Sequence, residues 1–576
     1  MSFQSTDWLP TSKKEVDARG WNELDVILFS GDAYIDHPAF GVAVIGRVLE
    51  ADGLRVAIVP QPNWRDDLRD FKKLGAPRLF FGISGGCMDS MVNHYTANKR
   101  LRSDDAYTAG ATAGFRPDDA VTVYSRILKT LFPETPVIIG GIEASLRRLT
   151  HYDYWRDTLK PCILIDCRAD MIVYGMGEHI IRKIAGEMLM GKKIEELTDI
   201  PLTVYLTKNT TPALNGKKDV MLHSFEDCAK DKRKFAENFC RIETESNKMH
   251  ASRLIEPVAG KYAVVNPPEY HLNENEVNLA FDLPYTRLPH PRYGDKPIPA
   301  FEMIKFSVNI HRGCFGGCSF CTISAHQGKF VAARSESSIL NEVKLITKMP
   351  NFKGYLTDLG GPTANMYRMK GRDNKLCHTC SRYSCIFPKL CKNLDVSHAH
   401  LMDLYEKVRN MEGIKKVFIG SGIRYDLLMD ANGFLSREHA LYFENLIGRH
   451  VSGRLKVAPE HCSPNVLKAM RKPVFDIFLT MKEAFDRINS EKNLRQQLVP
   501  YFISSHPGCA ESDMHQLIVA LRKLRFCRLE QVQDFTPTPM TLSSVMFYCG
   551  FDPYTGKKLY VARESKEKKK QKEYFF

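Results

Sequence analysis

Two series of short apolar runs, each alternating with stretches of helical periodicity, constrain the fold of this chain more than any other feature. The runs of the first series are rich in β-branched residues, and most of them end in glycine or proline. They cover residues 25–31, 55–60, 78–83, 136–140 and 171–175. Helical patterns lie between or after these runs, at 40–51, 120–131 and 178–189. This alternation predicts a parallel sheet with helices on both faces, a doubly wound α/β domain.

The second series begins near residue 304 and contains six candidate strands. They cover residues 304–310, 354–359, 416–420, 454–458, 499–504 and 529–535. The candidate helices between them cover residues 335–348, 398–410, 437–449, 474–489 and 511–524. Six strands with crossover helices predict an open or partial (β/α)6 barrel.

The remaining parts of the chain show weaker patterns. Residues 201–300 lose the alternation, and residues 266–299 contain seven prolines, so we expect a connecting or capping region there. Residues 551–576 include a lysine-rich stretch at 563–572, which we expect to form a basic, disordered tail. An RNA-binding arm is the alternative for that tail.

The overall composition is that of a globular protein, with 44% apolar and 26% charged residues. No apolar run approaches the roughly 18 residues that a membrane span needs. The N-terminal residues do not resemble a secretory leader, so we expect a cytoplasmic protein without a membrane contact. The net charge of +14 permits an anionic partner such as RNA without requiring one.

Cysteines are concentrated in one part of the chain. Seven of the 16 lie between residues 314 and 391, and dense cysteine spacing in a cytoplasmic protein indicates metal binding rather than disulfides. The first group, Cys314, Cys318 and Cys321, has the spacing C-x3-C-x2-C and follows the first strand of the second series. Soft thiolates select iron–sulfur clusters, zinc or copper(I). Three ligands on a [4Fe–4S] cluster would leave one iron open to a small molecule.

This first group resembles the signature of the radical S-adenosylmethionine (radical SAM) enzymes, and Phe320 matches the aromatic residue before the last cysteine. The resemblance implies a [4Fe–4S] cluster on these three thiolates, with the amine and carboxylate of S-adenosylmethionine on the fourth iron. One electron would then cleave the sulfonium to methionine and a 5′-deoxyadenosyl radical, which abstracts hydrogen from the substrate. The resemblance also implies a partial barrel and places Phe320 near the adenine.

A second feature of the same family is a glycine pair at the end of the second barrel strand. In this chain the pair is Gly360 and Gly361, and the resemblance implies that their backbone approaches the methionyl amine of S-adenosylmethionine. Pro362 stands where the family often has an acidic residue.

Several further segments resemble the YgiQ family of radical SAM proteins. These segments are residues 30–41 (SGDAYIDHPAFG), 88–95 (MDSMVNHY), 140–155 (GGIEASLRRLTHYDYW), 358–367 (DLGGPTANMY), 455–461 (LKVAPEH) and 504–508 (SSHPG). The resemblance implies a characteristic N-terminal domain and a C-terminal domain that is missing or reduced relative to longer relatives. It leaves the substrate open.

We therefore expect a flavodoxin- or cobalamin-domain-like doubly wound sheet over residues 1–200 and a connecting region over 201–300. A radical SAM partial barrel should follow over 301–550, with a cysteine-rich insertion at 370–396, and the tail at 551–576. An outside electron donor, a flavodoxin or a ferredoxin, would supply the electron.

The second cysteine group lies in that insertion and has the spacing C-x2-C-x4-C-x5-C. Its members are Cys377, Cys380, Cys385 and Cys391. Four thiolates suffice for a tetrahedral zinc site or a fully ligated iron–sulfur cluster, and the spacing does not decide between them. His378, His398 and His400 could substitute as ligands, and four free cysteines are the alternative. The nine cysteines outside both groups lack metal spacing and are predicted to be packing residues.

Polar residues at predicted strand ends form a further set of candidates. In the first domain they are His37, Glu143, Arg147, Arg148 and His151, together with the loops 30–41 and 84–88. We expect His37 to be a hydrogen-bonded loop residue rather than a ligand of the cobalt in a bound cobalamin. Glu143, Arg147, Arg148 and His151 could hold an anion, meet the barrel or form a solvated or interdomain salt-bridge face. The barrel candidates are Ser421, Arg424, Glu460, His461, Ser505 and His506.

Two rival functions stay open at this stage. One is a non-catalytic module that binds RNA and holds zinc in both cysteine groups, favoured by the basic charge and by interleaved aromatic residues such as Tyr383. The other is an enzyme resembling the tRNA-modifying methylthiotransferases, which would use the second metal group beside the first.

Overall fold

The computed structural model describes residues 4–209, 219–269, 271–430, 433, 435–526, 529 and 531–575. Residue 530, which belongs to the last predicted strand, lies outside this set, as does Cys527. Within the described ranges, no helix is both long enough and apolar enough to cross a membrane.

The first half of the chain contains eleven strands and eleven α-helices within its described residues. The strands are β1 Val26–Ser30, β2 Val56–Pro60, β3 Phe80–Ser84, β4 Val137–Gly140, β5 His151–Asp153, β6 Thr158–Lys160, β7 Met171–Val173, β8 Thr203–Thr207, β9 Asp219–Met221, β10 Arg253–Val258 and β11 Lys261–Val265. The helices are α1 Lys13–Ala18, α2 Gly41–Ala51, α3 Arg69–Lys72, α4 Ser90–His94, α5 Ala120–Leu131, α6 Gly141–Leu146, α7 Ile163–Cys167, α8 Glu178–Leu189, α9 Phe225–Lys230, α10 Lys232–Ser246 and α11 Glu274–Phe281.

Nine of these strands form one sheet in the order β2-β1-β3-β4-β7-β8-β11-β10-β9. The first five of them are parallel, and their order is that of a flavodoxin-like sheet. In this order, β2 is added on one side of β1 and the later strands on the other side, so the switch point lies between β1 and β3. Alternate residues of each buried strand enter opposite cores: Ile27 and Phe29 pack with α5, whereas Val26 and Leu28 pack with α2 and α8. The predicted doubly wound domain is confirmed.

The expectation of a connecting region over 201–300 is wrong for its first two thirds. Strands β8, β10 and β11 pair antiparallel with one another and with β7, so they extend the first sheet rather than linking two domains. Val204, Leu254 and Ala263 belong to the same core as β1. The prediction failed because β8 pairs with β7 and β11, which lie far away in sequence, and because all three strands contain polar residues rather than running continuously apolar.

The second half of the chain contains nine strands and eleven α-helices within its described residues. The strands are β12 Ser307–Asn309, β13 His311–Arg312, β14 Ala332–Ala333, β15 Tyr355–Leu356, β16 Asp358–Gly360, β17 Lys416–Val417, β18 Arg454–Glu460, β19 Gln497–Ser504 and β20 Gln531–Asp534. The helices are α12 Pro299–Ile304, α13 Ile323–Gln327, α14 Glu336–Ile346, α15 Asn374–His378, α16 Ala399–Arg409, α17 Arg437–Asn445, α18 Pro464–Met470, α19 Phe475–Glu491, α20 Glu511–Lys523, α21 Leu542–Cys549 and α22 Ser565–Glu573.

Apart from β13 and β14, which pair antiparallel with each other, these strands form an open barrel with crossover helices. Parallel pairs join β12 to β16, β15 to β17, β18 to β19 and β19 to β20, and a parallel bridge between Ile423 and Val457 joins the two halves. The core under α14, α16, α17 and α19 is apolar, with Val308 and Val417 from the strands among its members. The six predicted barrel strands are confirmed, and the cysteine-rich insertion at 370–396 lies between β16 and α16.

The C-terminal tail is ordered, so the prediction of disorder there is wrong. Helix α22 buries Lys568 and Gln571 although most of its other side chains are charged. The Gln571 side chain accepts from Ser505 N at 2.8 Å and donates to Cys509 O at 2.8 Å, next to the end of β19. The Lys568 ammonium contacts the hydroxyl of Tyr154 in the sheet domain. The tail therefore joins the barrel to the first domain.

Candidate functional site

The first cysteine group occupies a loop between β13 and α13, directly after the first barrel strand. The loop is closed at its base, because β13 pairs with β14 and Cys314 N donates to Gly328 O at 3.1 Å. Within the loop, Cys321 N donates to Cys318 O at 3.2 Å. All three cysteines are partly buried and free of disulfides. The predicted spacing thus places three thiols in one tight loop at the barrel's edge.

Two glycines allow this loop to fold. Gly313 and Gly317 have φ values of +84° and +62°, in the region that favours glycine. A Cβ at Gly313 would lie 2.3 Å from Phe330 O, and one at Gly317 would lie 2.4 Å from Tyr383 O. Gly317 therefore lets the backbone of the second cysteine group approach the first loop.

Charged and polar groups surround the thiols. Arg424, which is 8% exposed, donates from Nη1 to Cys318 Sγ at 3.2 Å and pairs with Asp426. Thr363 Oγ1 lies 3.5 Å from Cys314 Sγ. Burial raises the pKa of the Cys314 thiol and raises the pKa of Cys321 to about 12. A bound metal would have to supply the charge that stabilises these thiolates.

The glycine pair at the end of β16 borders a buried histidine. A Cβ at Gly361 would lie 2.5 Å from Cε1 of His311, and a Cβ at Gly360 would lie 2.9 Å from Oγ of Ser421. His311 is 1% exposed, and neither ring nitrogen has a hydrogen-bond partner among the described residues. Burial lowers the pKa of His311 to about 3. This neutral imidazole is the most evident unsatisfied polar group near the thiols.

Phe320 packs between the barrel and α21. Its ring lies 6.2 Å from that of His506, edge to face. His506 Nε2 lies 2.6 Å from Ser543 Oγ, which donates to Ser319 Oγ at 2.8 Å. The SSHPG segment predicted at a strand end therefore supports the first cysteine loop from behind.

Two other predicted strand-end residues have strained backbones. Glu460 is the last residue of β18, and Ser505 directly follows the adjacent strand β19. Their φ values are +66° and +60°. Such values in non-glycine residues concentrate at functional sites. Burial raises the pKa of Glu460, and Lys472 lies 3.8 Å from its carboxylate. His461 lies beside these residues and is fully buried, with Nδ1 accepting from Ser463 N at 3.0 Å.

A cavity of about 440 Å³ lies between the sheet domain and the barrel. Its barrel wall includes His311, Gly361 and Thr322, the residue after Cys321. Its other wall comes from the loops after β1, β3 and β4, at the strand ends where parallel sheets bind ligands. The ion pair of Arg312 with Glu178 also lines it. The volume is in the range of small-molecule sites.

The polar residues predicted after β4 are buried rather than solvated. Arg147 pairs with Asp89, and Glu143 accepts from Ser90 N at 3.0 Å and Val121 N at 2.9 Å. His151 Nδ1 lies 3.1 Å from Leu149 O, and burial lowers its pKa to about 3. Because Glu143 and Arg147 have partners within their own domain, the anion-site hypothesis fails for them.

Arg148 differs from its neighbours. It stacks over the Tyr174 ring at 4.8 Å and donates to Ser145 O at 2.6 Å. Among the described residues it pairs with no carboxylate. It lines the far side of the first cysteine loop together with Cys318 and Cys321.

His37 is buried in the loop after β1, and its Nδ1 accepts from Ala39 N at 3.1 Å. It is the hydrogen-bonded loop histidine that the sequence predicts. The loops after β1 and β3 press on each other at the switch point, where a Cβ at Gly86 would lie 2.1 Å from Asp32 Oδ1.

The second cysteine group packs on the first loop. Cys385 N donates to Phe315 O at 3.1 Å, and Ser384 Oγ donates to Gly316 O at 2.8 Å. Cys314, Cys385 and Cys391 border the same small apolar cluster. In neither cysteine group, nor elsewhere in the described ranges, do three cysteine, histidine or acidic side chains converge closely enough to hold a single metal ion.

Sequence reasoning missed Thr363 and Lys329 as site residues, and it offers His311 only as a possible fourth zinc ligand under the RNA-binding alternative. His311 stands just after the first barrel strand and Thr363 just after the glycine pair, so position alone could have indicated both. Lys329 is 2% exposed and lies in the connection from α13 to β14, where nothing in the sequence marks it.

Comparison with known proteins relates the whole chain to described families. A family model described as "Radical SAM N-terminal" matches residues 8–307, and one described as a domain of unknown function (DUF3362) matches residues 530–575. A UPF0313 protein of Bacteroides thetaiotaomicron is 59% identical over 589 residues, covering 100% of this chain and 94% of that protein. UPF0313 protein YgiQ of Escherichia coli (strain K12) is 41% identical over 628 residues, covering 99% and 84%.

Among solved structures, the cobalamin-dependent S-adenosylmethionine radical enzyme OxsB, with aqua-cobalamin bound, matches with a TM-score of 0.50. The sequence identity is 12%, and the match covers 94% of this chain and 58% of that chain. At this identity the likeness concerns the fold, an α/β sheet domain with a partial barrel.

Proposed function

We propose a function from the premise that this chain belongs to the YgiQ (UPF0313) family of radical SAM proteins. We infer that it is an enzyme that cleaves S-adenosylmethionine reductively at the first cysteine loop. The radical so formed acts on a substrate held between the sheet domain and the barrel. The observation that carries this proposal is that the loop of three thiols runs directly into Thr322, which lines the cavity together with the unpartnered, buried His311 and with Gly361.

The residues present fit a [4Fe–4S] cluster. Cys314, Cys318 and Cys321 supply three soft ligands from one tight loop, and all three are free of disulfides. The chemistry supplied by a bound cluster is the transfer of one electron that breaks the sulfonium bond of S-adenosylmethionine. That electron comes from outside the chain, and we propose a flavodoxin or a ferredoxin as its donor.

Arg424 places a buried positive charge beside the thiols of this loop. Its guanidinium donates to Cys318 Sγ at 3.2 Å and is fixed by Asp426, with Nε to Oδ1 at 2.9 Å. A buried, always charged donor beside a thiolate offsets negative charge that water cannot solvate. We therefore assign Arg424 to the tuning of the metal site rather than to substrate binding.

His311 and the glycine pair form the wall that S-adenosylmethionine would meet. Because burial keeps His311 neutral, its ring offers one N–H donor and one acceptor at physiological pH. Gly361 leaves no room for a side chain beside that ring, so its backbone borders the same space. We propose that these groups orient the methionyl amine and carboxylate, with Phe320 packing near the adenine.

The cavity limits the substrate class. About 440 Å³ suits a small molecule, or one base or side chain of a larger one. Its lining mixes apolar groups such as Phe281 and Met176 with the ion pair of Arg312 and Glu178. We propose that the hydrogen-donating substrate binds there and that the loops after β1 and β3 shape its specificity.

The test is formation of 5′-deoxyadenosine. The full-length protein is reconstituted anaerobically with iron and sulfide, reduced with dithionite and incubated with S-adenosylmethionine, and the product is measured by chromatography. The C314A/C318A/C321A variant should fall to the background of the buffer, whereas Cys240→Ala, outside both cysteine groups, should match the wild type. An intact cluster in the wild type that yields no deoxyadenosine and does not respond spectroscopically to S-adenosylmethionine would overturn the proposal.

A further inference from the structure

The insertion that carries the second cysteine group is closed at its neck. Gly371 and Leu394 form an antiparallel bridge, and Arg372 N donates to Asn393 O at 2.8 Å. Between these points, Cys380 N donates to Cys377 O at 3.2 Å, and Cys391 N donates to Cys385 O at 2.7 Å. The four cysteines therefore lie within one small closed loop.

The insertion lacks a hydrophobic core of its own. Of residues 370–396, only Ser384 and Leu394 are buried. Its cysteines form no disulfide. A segment of this size with so little buried apolar surface cannot offset the entropy of ordering its backbone, and small folds of this kind depend on a disulfide or a metal.

The sulfur of Cys377 is held by its immediate surroundings. Asn393 Nδ2 donates to Cys377 Sγ at 3.3 Å, and a Cβ at Gly371 would lie 2.4 Å from the same sulfur. Cys385 and Cys391 pack against the same apolar cluster as Cys314 of the first loop. Hydrogen bonds to a thiolate sulfur are typical of iron–sulfur sites, where they tune the cluster.

A buried cation faces these thiols. Lys329 is 2% exposed, and its ammonium donates to Arg382 O at 2.7 Å. Within the described ranges it forms no ion pair with a carboxylate, whereas the thiols of Cys377, Cys380 and Cys385 all lie within its electrostatic range. A buried charge is costly unless an opposite charge compensates it, and thiolates bound to a metal would supply that charge.

Tetrahedral zinc and an iron–sulfur core both accept four thiolates, and only the second contains sulfide. The hydrogen bond to Cys377 Sγ and the direct contact with the first cysteine loop favour an iron–sulfur core, whose properties such contacts tune.

We propose that Cys377, Cys380, Cys385 and Cys391 hold a second, fully ligated iron–sulfur cluster, packed directly against the first cysteine loop. This cluster orders the insertion, and the insertion in turn supports the first loop through Cys385 N to Phe315 O and Ser384 Oγ to Gly316 O. Because four thiolates saturate it, this cluster has no position for S-adenosylmethionine. The inference adds to the proposed function and does not depend on it.

The test is metal and sulfide content in variants that retain one cysteine group. After anaerobic reconstitution, the C314A/C318A/C321A variant should retain iron and sulfide in equal amounts, with about four irons and about four sulfides per chain fewer than the wild type. The reciprocal variant, with alanine at all four insertion cysteines, should lack the iron and sulfide of the second cluster. Cys240→Ala serves as the control for cysteine number and should keep the full content.

The first of these variants decides the question even if the reciprocal one fails to fold, because it leaves the insertion intact. Iron with equal sulfide in it supports a second cluster. Zinc without sulfide, or no metal, overturns the proposal. Neither result depends on deoxyadenosine formation, so failure of the proposed function and failure of this inference remain distinguishable.

Discussion

The two cysteine loops lie in contact, yet they are held by different means. The first loop is anchored by strand pairing at its base, by Arg424 and by packing against α21. The second is an insertion with two buried residues, and it faces the buried Lys329, whose ammonium donates to Arg382 O. The first has three thiols and an adjoining cavity, whereas the second has four thiols and packs against protein. The comparison suggests that the scaffold shapes the first loop, and that the metal shapes the second.

The largest expected effect is on local stability when metal is removed. Chelation under anaerobic conditions should melt the insertion, because little else orders it, while the scaffold keeps the first loop folded. Tryptic cleavage at the exposed Lys375 and Lys389 should then accelerate at least about a hundredfold. Cleavage at Arg312, directly before the first loop, should change little. Equal acceleration at both places, read by mass spectrometry of the fragments, would contradict the distinction.

The contact between the loops can be broken at Gly317. An alanine there adds left-handed strain and a Cβ 2.4 Å from Tyr383 O, which should cost about 3 kcal/mol of unfolding free energy. Gly20→Ala is the matched control, because Gly20 has a φ of +69° but open space around it, and it should cost about 1 kcal/mol. Denaturant titrations measure both. Similar losses in the two variants would mean that the loops do not press on each other.

The buried histidine near the first loop should make stability depend on pH. Burial lowers the pKa of His311 to about 3, so between pH 6.5 and pH 3 the unfolded chain binds a proton that the folded chain excludes. Stability contributed by the neutral ring is present above pH 6.5 and is lost as the pH falls through that window. When the pH falls from 7.5 to 5, the free energy of unfolding of the wild type should therefore decrease by about 2 kcal/mol more than that of His311→Asn. Parallel curves of unfolding free energy against pH would contradict this.

The smallest expected effect concerns Lys329. Removing its charge with Lys329→Met should lower the reduction potential of the second cluster by some tens of millivolts and leave the first unchanged, because a nearby cation stabilises the reduced, more negative state. Lys392→Met, an exposed lysine of the same insertion, should shift neither potential. Redox titration followed by electron paramagnetic resonance reads both clusters. A shift in the potential of the first cluster alone would show that Lys329 acts on the first cluster and not on the second.

Sequence alone was sufficient where the signal is local. The buried parallel strands, such as β1 and β4, are continuous apolar runs, and the cysteine groups have short fixed spacings. Sequence alone was insufficient where a segment packs or pairs with residues that are distant in sequence. Lys568 and Gln571 belong to a stretch that reads as a charged tail, and their burial depends on Tyr154 and Cys509, far away in sequence. The same applies to β8, which is placed by its pairing with β7, and to β11, which pairs with β8.

The candidate site shows the same division. Cys314, Cys318, Cys321 and Gly361 could be predicted from motif and position, and Arg424 from its strand end. The unsatisfied ring of His311 and the isolated charge of Lys329 could not, because burial and missing partners are properties of the tertiary structure. The anion-site hypothesis for Arg147 failed for the same reason, since its partner Asp89 lies on a different loop.

The most direct test of the central claim is electron paramagnetic resonance of the reduced, fully reconstituted protein before and after addition of S-adenosylmethionine. We predict two signals, of which one changes because its cluster has an iron that can bind the added molecule, and one does not because four thiolates saturate its cluster. The responsive signal should be absent from the C314A/C318A/C321A variant. If neither signal responds, or if the responsive one survives in that variant, the assignment of the two cysteine loops is wrong.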